Sequence, residues 1–265
     1  MEWNSLSWEA LILLSIFAAP LGCLLIFRRM SYFGDALGHS ALAGVVVIYL
    51  MGWQSPWALS AGAIASVLLT SQILKFLESQ FRLPTDLALT VSSAGMLGLG
   101  ILLSASAPIQ LEHLLVGDLA AINESMVWFL RLLAVVMLSF LIFMWKPLWA
   151  SVIDARFARS LGFSSHRFDF LLLALTSVTV VGLIQSVGAI LVATYLVFPA
   201  AASLAWAKSL RSLVVSSIVF ALASSFFGAY ASMRLQFAPA PAIATFGFLA
   251  TLLSHGVARL IPSKD

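Results

Sequence analysis

Charge is scarce in this chain. Asp, Glu, Lys and Arg together make up 9% of its 265 residues, against about 25% in ordinary soluble domains. With 62% hydrophobic residues and a mean hydropathy of +1.05, a soluble fold of this length could not hide its apolar surface. Cysteine is scarcer still: Cys23 stands alone, which excludes an internal disulfide and zinc sites built from several thiolates. The sequence has no His-Glu-x-x-His, no Gly-x-Ser-x-Gly and no Gly-x-x-x-x-Gly-Lys-Ser/Thr. The metalloprotease, hydrolase and phosphate-loop readings therefore lack their residues, and the chain reads as a non-enzyme that binds no ATP itself. The alternating ten-residue segments of a membrane barrel are missing too. The net charge of +3 is spread between apolar runs and not gathered in a patch, which argues against a nucleic-acid partner. The N-terminus lacks the basic region of a cleaved signal peptide, so the first apolar run is expected to stay.

What is present is a series of apolar runs of the roughly 20 residues that a helical span needs. The expected fold class is all-α: a polytopic helical membrane protein with one transmembrane domain over residues 1–265. Reading between charges gives spans at 6–27, 31–50, 56–74, 86–107, 126–145, 213–231 and 240–260, with two passes in 170–207. That makes about nine segments, or eight with a short or re-entrant one. The run 170–207 carries no charge for 38 residues, too long for one span. Gln185-Ser186-Val187-Gly188 is its most polar interior stretch and the expected turn. Pro199 is expected to break the second pass, because a mid-helix proline loses a hydrogen bond. Threading nine segments puts most basic residues, from Arg28 and Arg29 to Arg259 and Lys264, on one side. The positive-inside rule then places the C-terminus in the cytoplasm and the N-terminus outside.

Two connections exceed a tight turn. The outer one, 108–125, has leucines at helical spacing and is expected to form a short surface helix. The inner one, a cytoplasmic segment at about 150–167, contains Ile153-Asp154-Ala155-Arg156-Phe157-Ala158-Arg159-Ser160-Leu161-Gly162. Phe157 and Leu161 lie four apart and Gly162 suits a helix C-cap. This reads as an amphipathic helix, open either to lipid headgroups or to a soluble partner.

The chemistry is expected at Asp35 and His39. Residues i and i+4 share a helix face, and ionisable groups inside a span usually mark a pathway. From a start near Ser31, a rise of about 1.5 Å per residue puts Asp35 roughly 6 Å and His39 roughly 12 Å into the span. One carboxylate oxygen and one imidazole nitrogen suit a borderline divalent metal, and an incomplete site suits an ion that must leave again. The other reading of the pair is polar glue between helices. The pattern alone leaves both open. His113, beside Glu112, and His166 read as solvated loop residues. His255 in the last span reads as an interhelical hydrogen-bonding group, and Gln185 and Thr194 as makers of local bonds. The methionines and phenylalanines read as lipid contact and core.

The stretch Arg28-Arg29-Met30-Ser31-Tyr32-Phe33-Gly34-Asp35, followed by His39, resembles the signature of membrane permeases of bacterial metal-uptake ABC transporters, the zinc/manganese/iron class. Three more stretches fit in order: Val116-Gly117-Asp118-Leu119, Ala158-Arg159-Ser160-Leu161-Gly162, and Val187-Gly188-Ala189-Ile190-Leu191-Val192 with Pro199-Ala200-Ala201-Ala202-Ser203 beyond it. The first stretch is most similar to the zinc-uptake permeases. The resemblance implies a bacterial inner-membrane permease that imports Zn²⁺, with Mn²⁺ or iron as the alternative cargo and no permanently bound cofactor. It implies a second copy of the chain, two copies of an ABC ATPase and an extracytoplasmic metal-binding protein. Asp35 and His39 would then hold the ion transiently. Asp154, Ala158, Leu161 and Gly162 would couple to the ATPase, and Asp118, Gly188 and Pro199 are candidate pathway or gate positions. The rival readings are a carrier or channel that needs no ATPase, and a membrane scaffold that transports nothing.

Overall fold

The computed structural model describes residues 4–28, 30–105, 119, 122–153, 160 and 165–260. Among them every regular element is a helix: α1 Ser5–Phe27, α2 Phe33–Leu50, α3 Pro56–Gln80, α4 Thr85–Ser104, α5 Glu124–Phe143, α6 Trp145–Ile153, α7 Ser165–Val187, α8 Ala189–Leu204, α9 Leu210–Leu235 and α10 Pro239–Leu260. Seven of these, α1 to α5, α9 and α10, are long and apolar enough to cross a bilayer. Many of their outward side chains are large and apolar, such as Leu132, Phe143, Val215 and Leu253, the surface that lipid covers and water would not tolerate.

The run 170–207 contains two helices, joined at Gly188. This residue has a φ of +85°, a conformation that glycine adopts without the Cβ clash of other L-residues. The apolar parts of this pair, Leu171–Ile184 and Ala189–Leu204, are shorter than the seven candidate spans. The expected break at Pro199 does not occur: α8 runs through it. Hydroxyls hold the carbonyls around the proline. Ser203 Oγ donates to the Pro199 carbonyl at 2.7 Å, Thr251 Oγ1 to that of Phe198 at 3.2 Å, and Ser254 Oγ to that of Ala202 at 2.6 Å. These bonds tie the turn around the proline to its own helix and to α10.

The chain falls into two compact units. One holds α1, α5, α6, α9, α10 and α8 from residue 193 onward. Within it α1 and α9 run antiparallel, as Ser15–Ser225 (3.3 Å) and Cys23–Ser217 (3.3 Å) show. Tyr195 of α8 is fully buried and its hydroxyl lies 2.5 Å from Ser225 Oγ. Arg131 of α5 grips Glu9 of α1 through two hydrogen bonds, of 2.5 and 2.7 Å.

The other unit holds α2, α3, α4 and α7. Here α2 and α3 approach so closely that a Cβ on Gly44 would strike the Gly62 carbonyl, and one on Gly62 would strike Ile48 and the Gly44 carbonyl. Ser66 Oγ donates to the Ser40 carbonyl at 2.6 Å. Pairing 40 with 66 and 44 with 62 makes the two helices antiparallel. Helix α4 turns back from α3 after the short connection 81–84 and so runs parallel to α2, against which it packs.

Candidate metal site

Helix α2 presents a different neighbour on each side. Ser40 and Gly44 face α3. Gly38 faces Ile184 of α7 and Ala189, whose side-chain carbons lie 3.5 and 4.0 Å from where its Cβ would be. Gly100 of α4 meets Leu42 and Ala43, since its Cβ would come within 3.0 Å of the Leu42 side chain and the Ala43 backbone nitrogen. At about 100° per residue, the direction midway between Leu42 and Ala43 passes between Asp35 and His39 on the helical projection. The carboxylate and the imidazole therefore stand on the stripe of α2 that looks toward α4.

Both stay partly open, with side chains 31% and 29% exposed, while Ala36, Leu37 and Ser40 around them are buried. His39 Nδ1 lies 3.8 Å from Asp35 Oδ2. That is an ion-pair distance and too long for a hydrogen bond, so neither group uses up the other's lone pairs. The Tyr32 hydroxyl lies near the Asp35 carboxylate. Asp35 sits in the first turn of α2, where unpaired backbone N–H groups favour negative charge. Among the described residues no third His, Cys, Asp or Glu joins the pair. The pair offers two donors, a candidate half-site.

The α4 wall of this half-site carries donors of another kind. Its buried stripe includes Leu89, Ser93, Met96 and Gly100. Ser93 and Met96 are 2% and 7% exposed, while Ala94, Gly95, Gly98 and Leu99 on the opposite side are exposed. Neither Ser93 nor Met96 was marked by sequence reasoning, because a serine and a methionine in an apolar run look like packing. Only the register of α4 on α2 brings them into view.

The remaining expectations divide. His255 is exposed, and its Nδ1 faces the Thr251 carbonyl of its own helix at 3.2 Å. It makes a local contact and not an interhelical one, because position 255 faces outward from α10. Thr194 is buried against the Gly247 position of α10. Gly188 is the joint described above, and Pro199 lies in mid-helix. Glu112, His113 and Asp118 lie outside the described residues, as do Asp154, Ala158, Leu161 and Gly162. The helical positions of His166 and Gln185 are described, at the start and near the end of α7.

Seven helices long and apolar enough to cross a membrane, one of them carrying a carboxylate and an imidazole on one face, suit a membrane permease. The chain belongs to the ABC 3 transport family, whose match spans residues 5–258. It is 30% identical to the high-affinity zinc uptake system membrane protein ZnuB of Haemophilus influenzae, over 88% of each chain. It is 28% identical to the manganese import system permease protein ScaB of Streptococcus gordonii, over 93% of this chain and 88% of the relative. Among solved structures, PsaBC from Streptococcus pneumoniae in complex with Fab superposes with a TM-score of 0.85 at 26% identity, covering 98% of this chain and 95% of that one. The chain is thus a permease of the metal-uptake ABC class, a multi-pass membrane protein.

Proposed function

We propose that this permease carries Zn²⁺ into the cytoplasm of a bacterium by alternating access, and that Asp35 and His39 hold the ion on its way. The observation that carries the reading is the half-open Asp35–His39 pair, 3.8 Å apart on one face of α2. An oxygen and a nitrogen donor in one site suit a borderline divalent ion. Neutral His39 and ionised Asp35 are the ligating forms, and two donors hold an ion only briefly. A second copy of the chain would bring a second pair and complete four-coordination. An ABC ATPase, in two copies, docks on the inner segment around Asp154, Ala158, Leu161 and Gly162, and an extracytoplasmic binding protein delivers the metal. The α7–α8 pair completes nine crossings of the bacterial inner membrane, with the C-terminus inside. Asp118, Gly188 and Pro199 line or gate the path. The Arg-Arg-Met-Ser-Tyr-Phe-Gly-Asp stretch and the ZnuB relative support zinc.

Manganese is the second reading, because the relative named for manganese import is of similar identity. The test is radiolabelled zinc uptake in cells lacking their own zinc importer. These cells express the chain with a companion ATPase and binding protein, with unlabelled manganese or iron as competitor. Uptake that requires the ATPase and resists manganese supports the zinc importer. Uptake that survives loss of the ATPase points to a free-standing carrier, and uptake suppressed by manganese moves the cargo to manganese.

A further inference from the structure

We infer that Met96, with Ser93 one turn away, is a third element of the Asp35–His39 site and biases it toward zinc over manganese. The inference rests on the proposed passage of metal past that pair. It starts from the register of two parallel helices. Gly100 meets Leu42 and Ala43. Four residues earlier on α4 is Met96, and four and three residues earlier on α2 are positions 38 and 39. Equal rise, about 6 Å per four residues, puts Met96 at the level of His39. Seven residues back from Gly100 is Ser93, at the level of positions 35 and 36. Around α4, Ser93 and Met96 lie within about 40° of Gly100, on the side that faces α2. Their burial agrees with that orientation, since the residues of the opposite face are exposed.

The chemistry of these two side chains differs from packing residues. The Ser93 hydroxyl donates to the Thr90 carbonyl of its own helix at 3.2 Å, which leaves its oxygen lone pairs to accept. Met96 offers a thioether, a soft and polarizable donor on a flexible stem. Soft donors favour zinc and copper(I), whereas manganese prefers carboxylate, carbonyl and water oxygens. With Asp35 and His39, the four side chains form a mixed oxygen, nitrogen and sulfur set within one helical unit. A leucine at position 96 would fill the same space and supply no lone pair.

The experiment compares zinc and manganese uptake in wild type, Met96→Leu and Met96→Gln, with membrane levels measured by immunoblot. Leucine keeps the shape and removes the sulfur, and glutamine substitutes a hard oxygen. The zinc-to-manganese ratio is expected to fall roughly tenfold in Met96→Leu, the scale on which loss of a supporting partner alters metal affinity, and further in Met96→Gln. Unchanged ratios at normal membrane levels overturn the role of Met96 while leaving the zinc importer standing. A wild-type chain that takes up no zinc overturns the underlying reading and this inference with it. A second readout is spectroscopic: X-ray absorption of Cd²⁺ bound to the purified permease carrying Cys23→Ala, which removes this chain's one thiol, with and without Met96→Leu. A sulfur neighbour lost in Met96→Leu supports ligation by the thioether, and a sulfur that persists, or a shell of nitrogen and oxygen alone, overturns it.

Discussion

Replacing Gly44 with alanine tests whether the α2–α3 contact holds the helix that carries the half-site. The added Cβ would strike the Gly62 carbonyl oxygen and stand 2.5 Å from its carbon and 2.6 Å from Ser66 Cβ. Carbon atoms rest at about 3.5–4.0 Å, so the helices must part by about 1 Å. Overpacking of this kind costs about 1–3 kcal/mol. Stretching the Ser66–Ser40 hydrogen bond one turn away adds about 0.6 kcal/mol, the average for such bonds in membranes. Alanine recovers about 1 kcal/mol of helix propensity over glycine. The net is about 1.5 kcal/mol of destabilisation, or an apparent Tm about 3–6 °C lower for a chain of this size. Intrinsic tryptophan fluorescence in detergent reads the transition. Gly256→Ala is the control, because a Cβ there meets nothing within 4 Å, and its Tm should equal or exceed wild type. If the two variants melt together, the close approach of α2 and α3 is wrong.

Two further perturbations address the rest of the bundle. Arg131 is held by Glu9 and stacks over Trp128, 4.7 Å from the ring centroid. Arg131→Gln alone should lower the Tm slightly more than Arg131→Gln with Glu9→Gln, since the single change leaves a carboxylate without its partner in a pair more than a third exposed; the reverse order in the same melting assay contradicts the pairing. At Gly188, whose φ is +85°, alanine should cost about 1–2 kcal/mol through its Cβ. That lowers the Tm by several degrees, and an unchanged melt would place the joint elsewhere.

The fold was legible where charges bracket apolar runs and blurred where they do not. Span limits at Phe27 and Leu50 coincide with helix ends; the second is marked by Gly52, whose φ is +84°. Helix α3 instead runs past Leu74 through Lys75 and Glu78 to Gln80; long charged side chains can reach an interface while the backbone stays helical. In 170–207 the missing charges hid the limits, and only Gly188 marked the joint. Pro199 misled because one lost hydrogen bond does not end a helix whose neighbouring turns are held by packing, here partly by α10, some fifty residues away in sequence. Asp35 and His39 were visible because four-residue spacing is a local signal. The wall opposite them was not, since the register of α4 on α2 is set by Gly100 and Ala43, which carry no polar signature. His255 shows the converse: a histidine in a span, yet on an outward face.

The most direct test of the central claim is zinc uptake by Asp35→Asn and His39→Ala. Both would be expressed at wild-type membrane levels with the ATPase and binding protein in importer-deficient cells. His39→Ala removes the imidazole donor, Asp35→Asn removes the carboxylate charge and one of its oxygens, and both leave the Gly44–Gly62 and Ser66–Ser40 contacts of α2 in place. Each variant should lose most of its uptake while its Tm stays near wild type. Wild-type uptake in both variants would mean that the ion does not pass this pair, and that Asp35 and His39 only pin α2 within its bundle.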